Sequence, residues 1–152
     1  MAFLSVNRKE DGLKELEKIL KNDSNNIESL LLKGKIYLYM GNFVESGKYF
    51  WKVNQINPDH SEIQQYVSIM QIKMQECLQK ANMNIIKAKF RMGILWCGTA
   101  LSIYPYHPEA LLMRSAIHRK LGNFNEAIAD LNVASQNMNI DSKILLSYII
   151  LM

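Results

Sequence analysis

The sequence predicts an all-α protein built from antiparallel helix hairpins. The chain has 152 residues, of which 49% are hydrophobic, so it can bury a sizeable core. Only three prolines and seven glycines interrupt it, which favours long helices over many tight strand turns. The third observation is an internal repeat, and such a repeat decides the architecture of the whole chain.

Two segments follow the same pattern of residues, 81 positions apart. The first contains Leu30, Gly34, Tyr37, Gly41, Asn42, Phe43 and Glu45, and the second contains Leu111, Ser115, His118, Gly122, Asn123, Phe124 and Glu126. Gly can adopt the left-handed conformation that closes a helix. The Asn that follows can cap the next helix, and the Glu three positions later can complete a capping box. Each segment therefore predicts two helices joined by a tight turn.

The matching positions extend along both helices of each hairpin. Residues 27–60 combine Leu30, Gly34, Tyr37, Gly41, Phe43, Phe50 and Pro58, and residues 108–141 combine Leu111, Ser115, Gly122, Phe124, Ala127, Leu131 and Ala134. Both sets resemble the tetratricopeptide repeat, a helix-turn-helix unit of about 34 residues. Ser46 and Val53 stand where this family usually has Ala, and His118 and Asn139 replace its usual Tyr and Pro. The resemblance implies a right-handed superhelical stack of antiparallel helix hairpins.

The remaining residues fit one continuous helical-repeat domain over residues 1–152. Residues 9–26 form a half repeat, with Leu13, Leu16, Ile19 and Leu20 on one helix face. Residues 142–152 resemble the first helix of a further repeat and end in the apolar run Ile144–Met152. Since terminal repeats normally carry a polar outer face, we expect an array cut at both ends, as in a fragment or isoform.

The middle repeat, residues 61–107, has about 13 residues more than the usual unit. If Asn84 caps its second helix, about eight extra residues lengthen the first helix and about five lengthen the second. We therefore expect an elongated middle hairpin in which both helices project. Its tip would carry Lys80, Met83, Ile85, Ile86, Lys87 and Lys89.

Patterns that typify enzymes and metal sites are missing from the sequence. It contains no phosphate loop, dinucleotide-binding glycine pattern, His-Glu metal helix or nucleophile elbow. We expect no catalytic activity, no cofactor and no metal site. Cys77 and Cys97 have no further Cys or His at ligand spacing, and we interpret both as reduced thiols.

The apolar segments at the two ends are too short for targeting or for crossing a membrane. Asn7, Arg8 and Lys9 end the N-terminal apolar run at once, which excludes a signal peptide. The run Ile144–Met152 has about half the length that a membrane-spanning helix needs. We expect a protein of the cytoplasm or nucleus that does not enter a membrane.

Three histidines and one tryptophan have structural interpretations. His60 and His107 occupy equivalent turns before helices, where capping is the expected role. His118 falls on a packing position, which predicts a core histidine. Trp51 directly follows Phe50, so one of the two faces away from the core, and Trp51 is a candidate exposed contact.

The resemblance also implies where a partner would bind. In tetratricopeptide proteins the first helices of successive repeats line a concave groove that accepts an extended peptide or a partner helix. The family's groove positions correspond to Glu28, Leu31, Lys35, Leu38 and Tyr39 in the first copy, and to Glu109, Leu112, Ala116, Arg119 and Lys120 in the last. Between them, the register of the apolar stripe adds a neutral polar row of Gln64, Ser68, Gln71 and Gln75.

The expected partner is a protein or peptide. Some relatives clamp the C-terminal carboxylate of heat-shock chaperones with Lys, Asn and Arg, but those positions here hold Leu31, Lys35, Leu112 and Met113. We therefore expect a different ligand, whose apolar anchors supply affinity while Gln side chains satisfy its backbone. Simple solvation explains the Gln row equally well.

Two alternatives remain open at this point. No acidic residue lies between Glu76 and Glu109, while Lys80, Lys87, Lys89 and Arg91 do, so a helical-repeat RNA-binding protein is one alternative. A net charge of only +4 and the turn pattern place it behind protein binding, and a solvated helix face also explains the charges. The other alternative is a structural assembly segment, in which the apolar ends Leu13–Leu20 and Ile144–Met152 stack on other repeats or on a second copy.

Overall fold

A computed structural model describes residues 6–137, and this part of the chain consists of seven α-helices. They are α1 (Val6–Asn22), α2 (Ile27–Tyr39), α3 (Phe43–Ile56), α4 (Ile63–Ile86), α5 (Phe90–Ile103), α6 (Pro108–Lys120) and α7 (Phe124–Asn137). The residues expected to form a further helix, 142–152, and the turn at Asp141 lie outside the described range. The all-helical prediction is confirmed for residues 6–137.

The chain forms two compact units, Met1–Lys73 and Met74–Met152. Unit 1 contains α1, α2, α3 and the first part of α4, and within it α2 packs against both α1 and α3. Unit 2 contains the rest of α4 together with α5, α6 and α7, and within it α6 packs against both α5 and α7. Each unit therefore holds one hairpin with the predicted pattern, α2–α3 or α6–α7.

The α2–α3 hairpin depends on a close approach at Gly34. A Cβ atom added to Gly34 would lie 2.6 Å from Cε1 of Phe50, which is closer than two carbon atoms can come without displacement. Phe50 is completely buried, and its ring stacks on Tyr66 with 4.4 Å between ring centroids. The small residue on α2 thus makes room for the large ring that fills the core of unit 1.

The turns of both hairpins have the predicted geometry. Gly41 and Gly122 adopt φ angles of +76° and +80°, the left-handed region that glycine tolerates best. The backbone N–H of Asn42 donates to the Tyr37 carbonyl at 2.9 Å, and that of Asn123 donates to the His118 carbonyl at 2.8 Å. These six-to-one bonds close both first helices as Schellman motifs.

The capping prediction for α3 is confirmed for its Asn. The Asn42 side-chain oxygen accepts a hydrogen bond from the Glu45 N–H at 3.2 Å. The Glu45 carboxylate pairs with Lys48 at 2.7 Å, one turn further along the helix. Asn26 caps α2 in the same way by accepting from the Ser29 N–H at 2.9 Å.

The middle hairpin is elongated, but in one helix alone. α4 has 24 residues, whereas α5 has 14, the same length as α3 and α7. The expectation that Asn84 caps the second helix is wrong, because Asn84 lies inside α4 and its amide donates to the Lys80 carbonyl at 2.8 Å. The apolar spacing through Cys77 and Ala81 continues the helix past this position. The chain reverses instead near Ala88, whose φ is +58°.

Unit 2 has a core of small and branched side chains. One cluster includes Leu78, Ala100, Ala110, Leu111 and Ala134, which come from all four helices of the unit. A second cluster joins Ala81, Cys97 and Ile117. Cys77 and Cys97 are both buried and form no disulfide, which agrees with the interpretation of two reduced thiols.

The predicted apolar face of α1 is buried in part. Leu16 is buried and Leu13 and Leu20 are half-buried, but Ile19 is 46% exposed. Within unit 1, α1 contacts α2, and a single neighbouring helix covers a narrow arc of its surface. Ile19, which shares the predicted apolar face, therefore stays exposed within unit 1.

We expect Gly34→Ala to lower the free energy of unfolding by about 1–3 kcal/mol, because the added methyl group collides with the fully buried Phe50 ring. Gly98→Ala is the matched control. Gly98 also lies within a helix, and an added Cβ would meet nothing within 4 Å, so helix propensity predicts a gain of up to about 1 kcal/mol. Urea denaturation followed by circular dichroism measures both values. Equal effects of the two variants would contradict the close approach.

Candidate functional site

The predicted binding face of unit 1 lies on α2 and contains a fixed cation. Lys35 forms an ion pair with Glu62, and its ammonium group lies 5.6 Å from the centroid of the Tyr66 ring. The hydrogen bond between them raises the pKa of Lys35 and lowers the pKa of Glu62. Lys35 therefore has a defined position and is held by two partners of its own chain.

The other predicted binding positions on α2 differ in how far their side chains are exposed. Tyr39 is 68% exposed and Leu38 is half-buried, as a binding face requires. Leu31 is only 2% exposed, so the expectation that it lines the groove is wrong. α2 packs against α1 and against α3, and these two contacts bury a wide arc of the helix that includes Leu31.

The predicted polar row on α4 is exposed within unit 1. Gln64, Ser68 and Gln71 all lie at the surface, on one side of the helix at spacings of four and three residues. The Gln64 amide donates to the Pro58 carbonyl at 2.8 Å and to the Asn54 side chain at 3.3 Å. Gln64 therefore also holds the connection between α3 and α4, a role that its spacing did not indicate.

In unit 2 the predicted α6 positions border an apolar groove. Ala116 and Arg119 of α6 and Phe124, Ile128 and Leu131 of α7 line a space of about 240 Å³. Phe124 and Ile128 are more than half exposed. The expected groove position Leu112 is half-buried and packs against the core cluster, so it belongs to the interior in part.

A paired charge inside the α6–α7 hairpin was not predicted from the sequence. Arg114 donates two hydrogen bonds to the Asp130 carboxylate, at 2.8 and 2.6 Å, and Asp130 is buried. These bonds raise the pKa of Arg114. Burial raises the pKa of the neighbouring Cys97 to about 11, so this thiol stays protonated and unreactive at neutral pH. The pair fastens α6 to α7.

Two of the histidines have the predicted capping role. His107 is the N-cap of α6, and its Nδ1 accepts from the Ala110 N–H at 3.3 Å. Burial lowers the pKa of His107, which keeps the imidazole neutral and Nδ1 able to accept. The Nδ1 atom of His60 accepts from the Glu62 N–H at 3.3 Å.

The interpretations of His118 and Trp51 need correction. His118 is half-buried, and its Nδ1 lies 3.5 Å from the Asn123 amide nitrogen, so it supports the α6–α7 turn and is not a core histidine. Trp51 is half-buried as well, which makes it a partly covered side chain of α3 and not a fully exposed contact.

The basic stretch lies around the turn between α4 and α5. Lys80, Lys87, Lys89 and Arg91 are all exposed, and the Lys80 ammonium lies 4.5 Å from the centroid of the Trp96 ring. Large apolar side chains stand beside them at the surface, and Ile86 is 71% exposed. The sequence placed these residues at a hairpin tip, and the structure places them there.

Residues 6–137 contain neither a cluster of metal-ligating side chains nor a membrane-spanning helix. Within this range no group of three His, Cys, Asp or Glu side chains is arranged to hold a metal ion. None of the helices in the same range combines the length and the apolar character that crossing a membrane requires. The described surface offers an apolar groove on α6 and α7 and exposed charged side chains, and on α2 it offers a lysine that is held by an ion pair.

The fold and these surfaces define a class, the tandem helix-hairpin repeat proteins. The sequence profile of the tetratricopeptide repeat matches residues 27–60 and 108–134, which contain the α2–α3 and α6–α7 hairpins. The resemblance to the tetratricopeptide repeat is therefore confirmed for these two segments. Repeats of this family typify protein–protein interaction scaffolds.

Curated relatives cover almost the whole chain. The "DnaJ protein P58IPK homolog" of Arabidopsis thaliana is 26% identical over 151 residues, which is 94% of this chain. The "DnaJ protein P58IPK homolog B" of Oryza sativa subsp. japonica is 27% identical over 148 residues. The chain spans about 30% of the length of these relatives.

Solved structures show a loose likeness. The crystal structure of MamA matches with a TM-score of 0.39 and 16% identity, and the match covers 88% of this chain and 75% of that one. The structure of residues 41 to the end of MamA from Desulfovibrio magneticus RS-1 matches with a TM-score of 0.37 and 14% identity, over 85% of this chain and 66% of that one.

We expect Arg114→Met to destabilise the protein by about 3 kcal/mol, because it leaves the buried Asp130 carboxylate without its partner. Asp130→Ala should cost less, since the more exposed Arg114 guanidinium can turn to water. Chemical denaturation of both variants at pH 7 measures the difference. Equal or reversed costs would show that the pair does not fasten the two helices as described.

Proposed function

We propose that this chain is a non-catalytic scaffold that binds a peptide or a partner helix along the first helices of its hairpins. The observation that carries the proposal is the exposed, mixed face of α2, where the exposed Tyr39 and the fixed Lys35 stand together. An amphipathic ring and an oriented cation are the kinds of groups that anchor a peptide. Enzyme chemistry has no part in this proposal.

Unit 1 supplies an aromatic and polar surface. Tyr39 offers a large apolar area with a hydroxyl at its end, and Ser68 and Gln71 on α4 offer hydrogen-bonding groups at the surface. Lys35, already oriented by Glu62 and Tyr66, loses little conformational entropy when a carboxylate or carbonyl approaches. These side chains suit a peptide that has an apolar side chain to contact Tyr39 and backbone carbonyl groups to accept hydrogen bonds.

Unit 2 supplies a more apolar surface with a basic border. The space between Ala116 and Ile128 accepts an aliphatic or aromatic side chain, and Arg119 and the exposed Lys120 lie on the same helix at its edge. Together with residues 27–60 and 61–107 as successive repeats, residues 108–141 complete the proposed binding array. The two buried cysteines form no disulfide, which suits the reducing cytosol or nucleus as the place where the scaffold acts.

The test compares partners captured by the wild type and by the double variant Tyr39→Ser and Gln71→Glu, using affinity purification with quantitative mass spectrometry. We expect the specific partners to fall by about tenfold for this variant, because it removes an aromatic anchor and adds a charge. The matched control is Ile56→Ser and Gln55→Glu on α3, where both side chains are also exposed.

The control should retain its partners, and both variants should keep the helical circular dichroism spectrum of the wild type. Unchanged capture by the α2–α4 variant, with its fold intact, would refute binding at this face. Equal loss for both variants would point to a general effect of the added charge.

A further inference from the structure

The tip of the α4–α5 hairpin, residues 80–96, exposes several large apolar side chains. Ile86, Leu95 and Met83 are 71%, 61% and 52% exposed, although each is large and apolar. Clustered apolar side chains at a surface mark interaction sites more often than isolated ones do. This surface lies wholly within unit 2 and does not use the α2 face.

Met83, one of these exposed residues, lines a cleft between the two helices. An open space of about 510 Å³ is lined by Trp96 of α5 and by five residues of α4, namely Glu76, Gln79, Lys80, Met83 and Asn84. The Lys80 ammonium stacks over the Trp96 ring at 4.5 Å, which fixes one wall. The flexible Met83 side chain can adapt to different apolar guests. An apolar side chain of a partner can therefore enter the cleft, while Gln79 and Asn84 can form hydrogen bonds with the backbone of that partner.

Positive charge surrounds the open end of the tip. Lys87, Lys89 and Arg91 are exposed, and Lys120 of α6 comes within 5.8 Å of the centroid of the Phe90 ring at the start of α5. The sequence has no acidic residue between Glu76 and Glu109 to offset them. The N-terminus of α5 has no side-chain cap, and its helix dipole adds to the positive potential.

We propose that the hairpin tip binds an acidic, amphipathic segment of another protein. An apolar side chain of the segment enters the cleft beside Met83 and Trp96, and its carboxylates face Lys87, Lys89 and Arg91. Charge complementarity speeds the encounter and selects acidic partners, while the apolar contact slows dissociation. This inference is independent of the proposed α2 face.

The described surface argues for a different protein as the occupant. A second copy of the chain would need an acidic face, yet the acidic residues of α1, such as Glu15 and Glu17, alternate with Lys14 and Lys18. A lipid surface needs no concave cleft edged by the directional amides of Gln79 and Asn84. A cleft of this kind suits a peptide that is helical or becomes helical when it binds.

A peptide-display library tests the proposal without knowledge of the partner. Random peptides of about 16 residues, enough for about four helical turns, are selected on the whole chain and counter-selected on the double variant Lys87→Glu and Arg91→Glu. We expect enriched peptides to combine net negative charge with apolar residues at helical spacing. Their synthetic, labelled forms then serve in fluorescence anisotropy titrations.

In these titrations, the Lys87→Glu and Arg91→Glu variant should bind at least about tenfold more weakly than the wild type, and added salt should weaken the wild type. Met83→Ala should weaken binding by about fivefold through lost apolar contact. The matched control, Lys14→Glu and Lys21→Glu on exposed positions of α1, should change affinity by less than about twofold. Circular dichroism confirms that each variant remains folded.

Several results would overturn the proposal. They are enrichment of peptides without net negative charge, equal weakening by the α1 control, or no enrichment at all. Vesicles containing phosphatidylserine and a single-stranded RNA oligonucleotide are measured in parallel. If either binds through Lys87 and Arg91 while no acidic peptide does, the tip is a membrane or nucleic-acid surface. None of these variants alters Tyr39 or Gln71, so failure here is separate from failure of the α2 face.

Discussion

The contact between Gly34 and Phe50 is the constraint on which the first hairpin depends. The axes of two helices come close where a facing residue is small, and Phe50 occupies the space that a Cβ at Gly34 would fill. The buried Phe50 ring then stacks on Tyr66 of α4, so one small residue positions two aromatic rings on two helices. Because Lys35 also lies over Tyr66, the same contact orients a cation of the candidate binding face.

The two hairpins use the same positions with different chemistry. Lys33 and Tyr49 of the first hairpin correspond, at the offset of 81 residues, to Arg114 and Asp130 of the last. The buried Lys33 ammonium lies 4.8 Å from the centroid of the Tyr49 ring, whereas Arg114 and Asp130 form a two-bond ion pair. Burial lowers the pKa of Lys33, but Tyr49 and Glu17 outweigh it and hold that pKa above its ordinary value. The family pattern thus fixes where the helices are fastened but not by which interaction.

Patterns with a local cause were predictable from the sequence, and long-range pairings were not. Gly41 and Gly122 identify the turns because only a left-handed residue closes a helix in this way. The Asn84 expectation failed because the preceding apolar stripe outweighed a capping signal. The expectation for Leu31 failed because its burial depends on how many helices contact α2. The sequence of α2 alone does not reveal that number. The hairpin tip was predictable as a basic segment, but its cleft with Trp96 required the packing of α4 on α5.

Paired helices of this chain approach closely at small residues, and this approach positions the candidate binding faces. Nuclear Overhauser spectroscopy on the isotope-labelled chain tests it most directly. Strong cross-peaks between the Gly34 α-protons and the Phe50 ring protons are predicted, with further cross-peaks from that ring to Tyr66. Absence of these cross-peaks, with helical chemical shifts retained in both segments, would show that the helices form but do not pair as described.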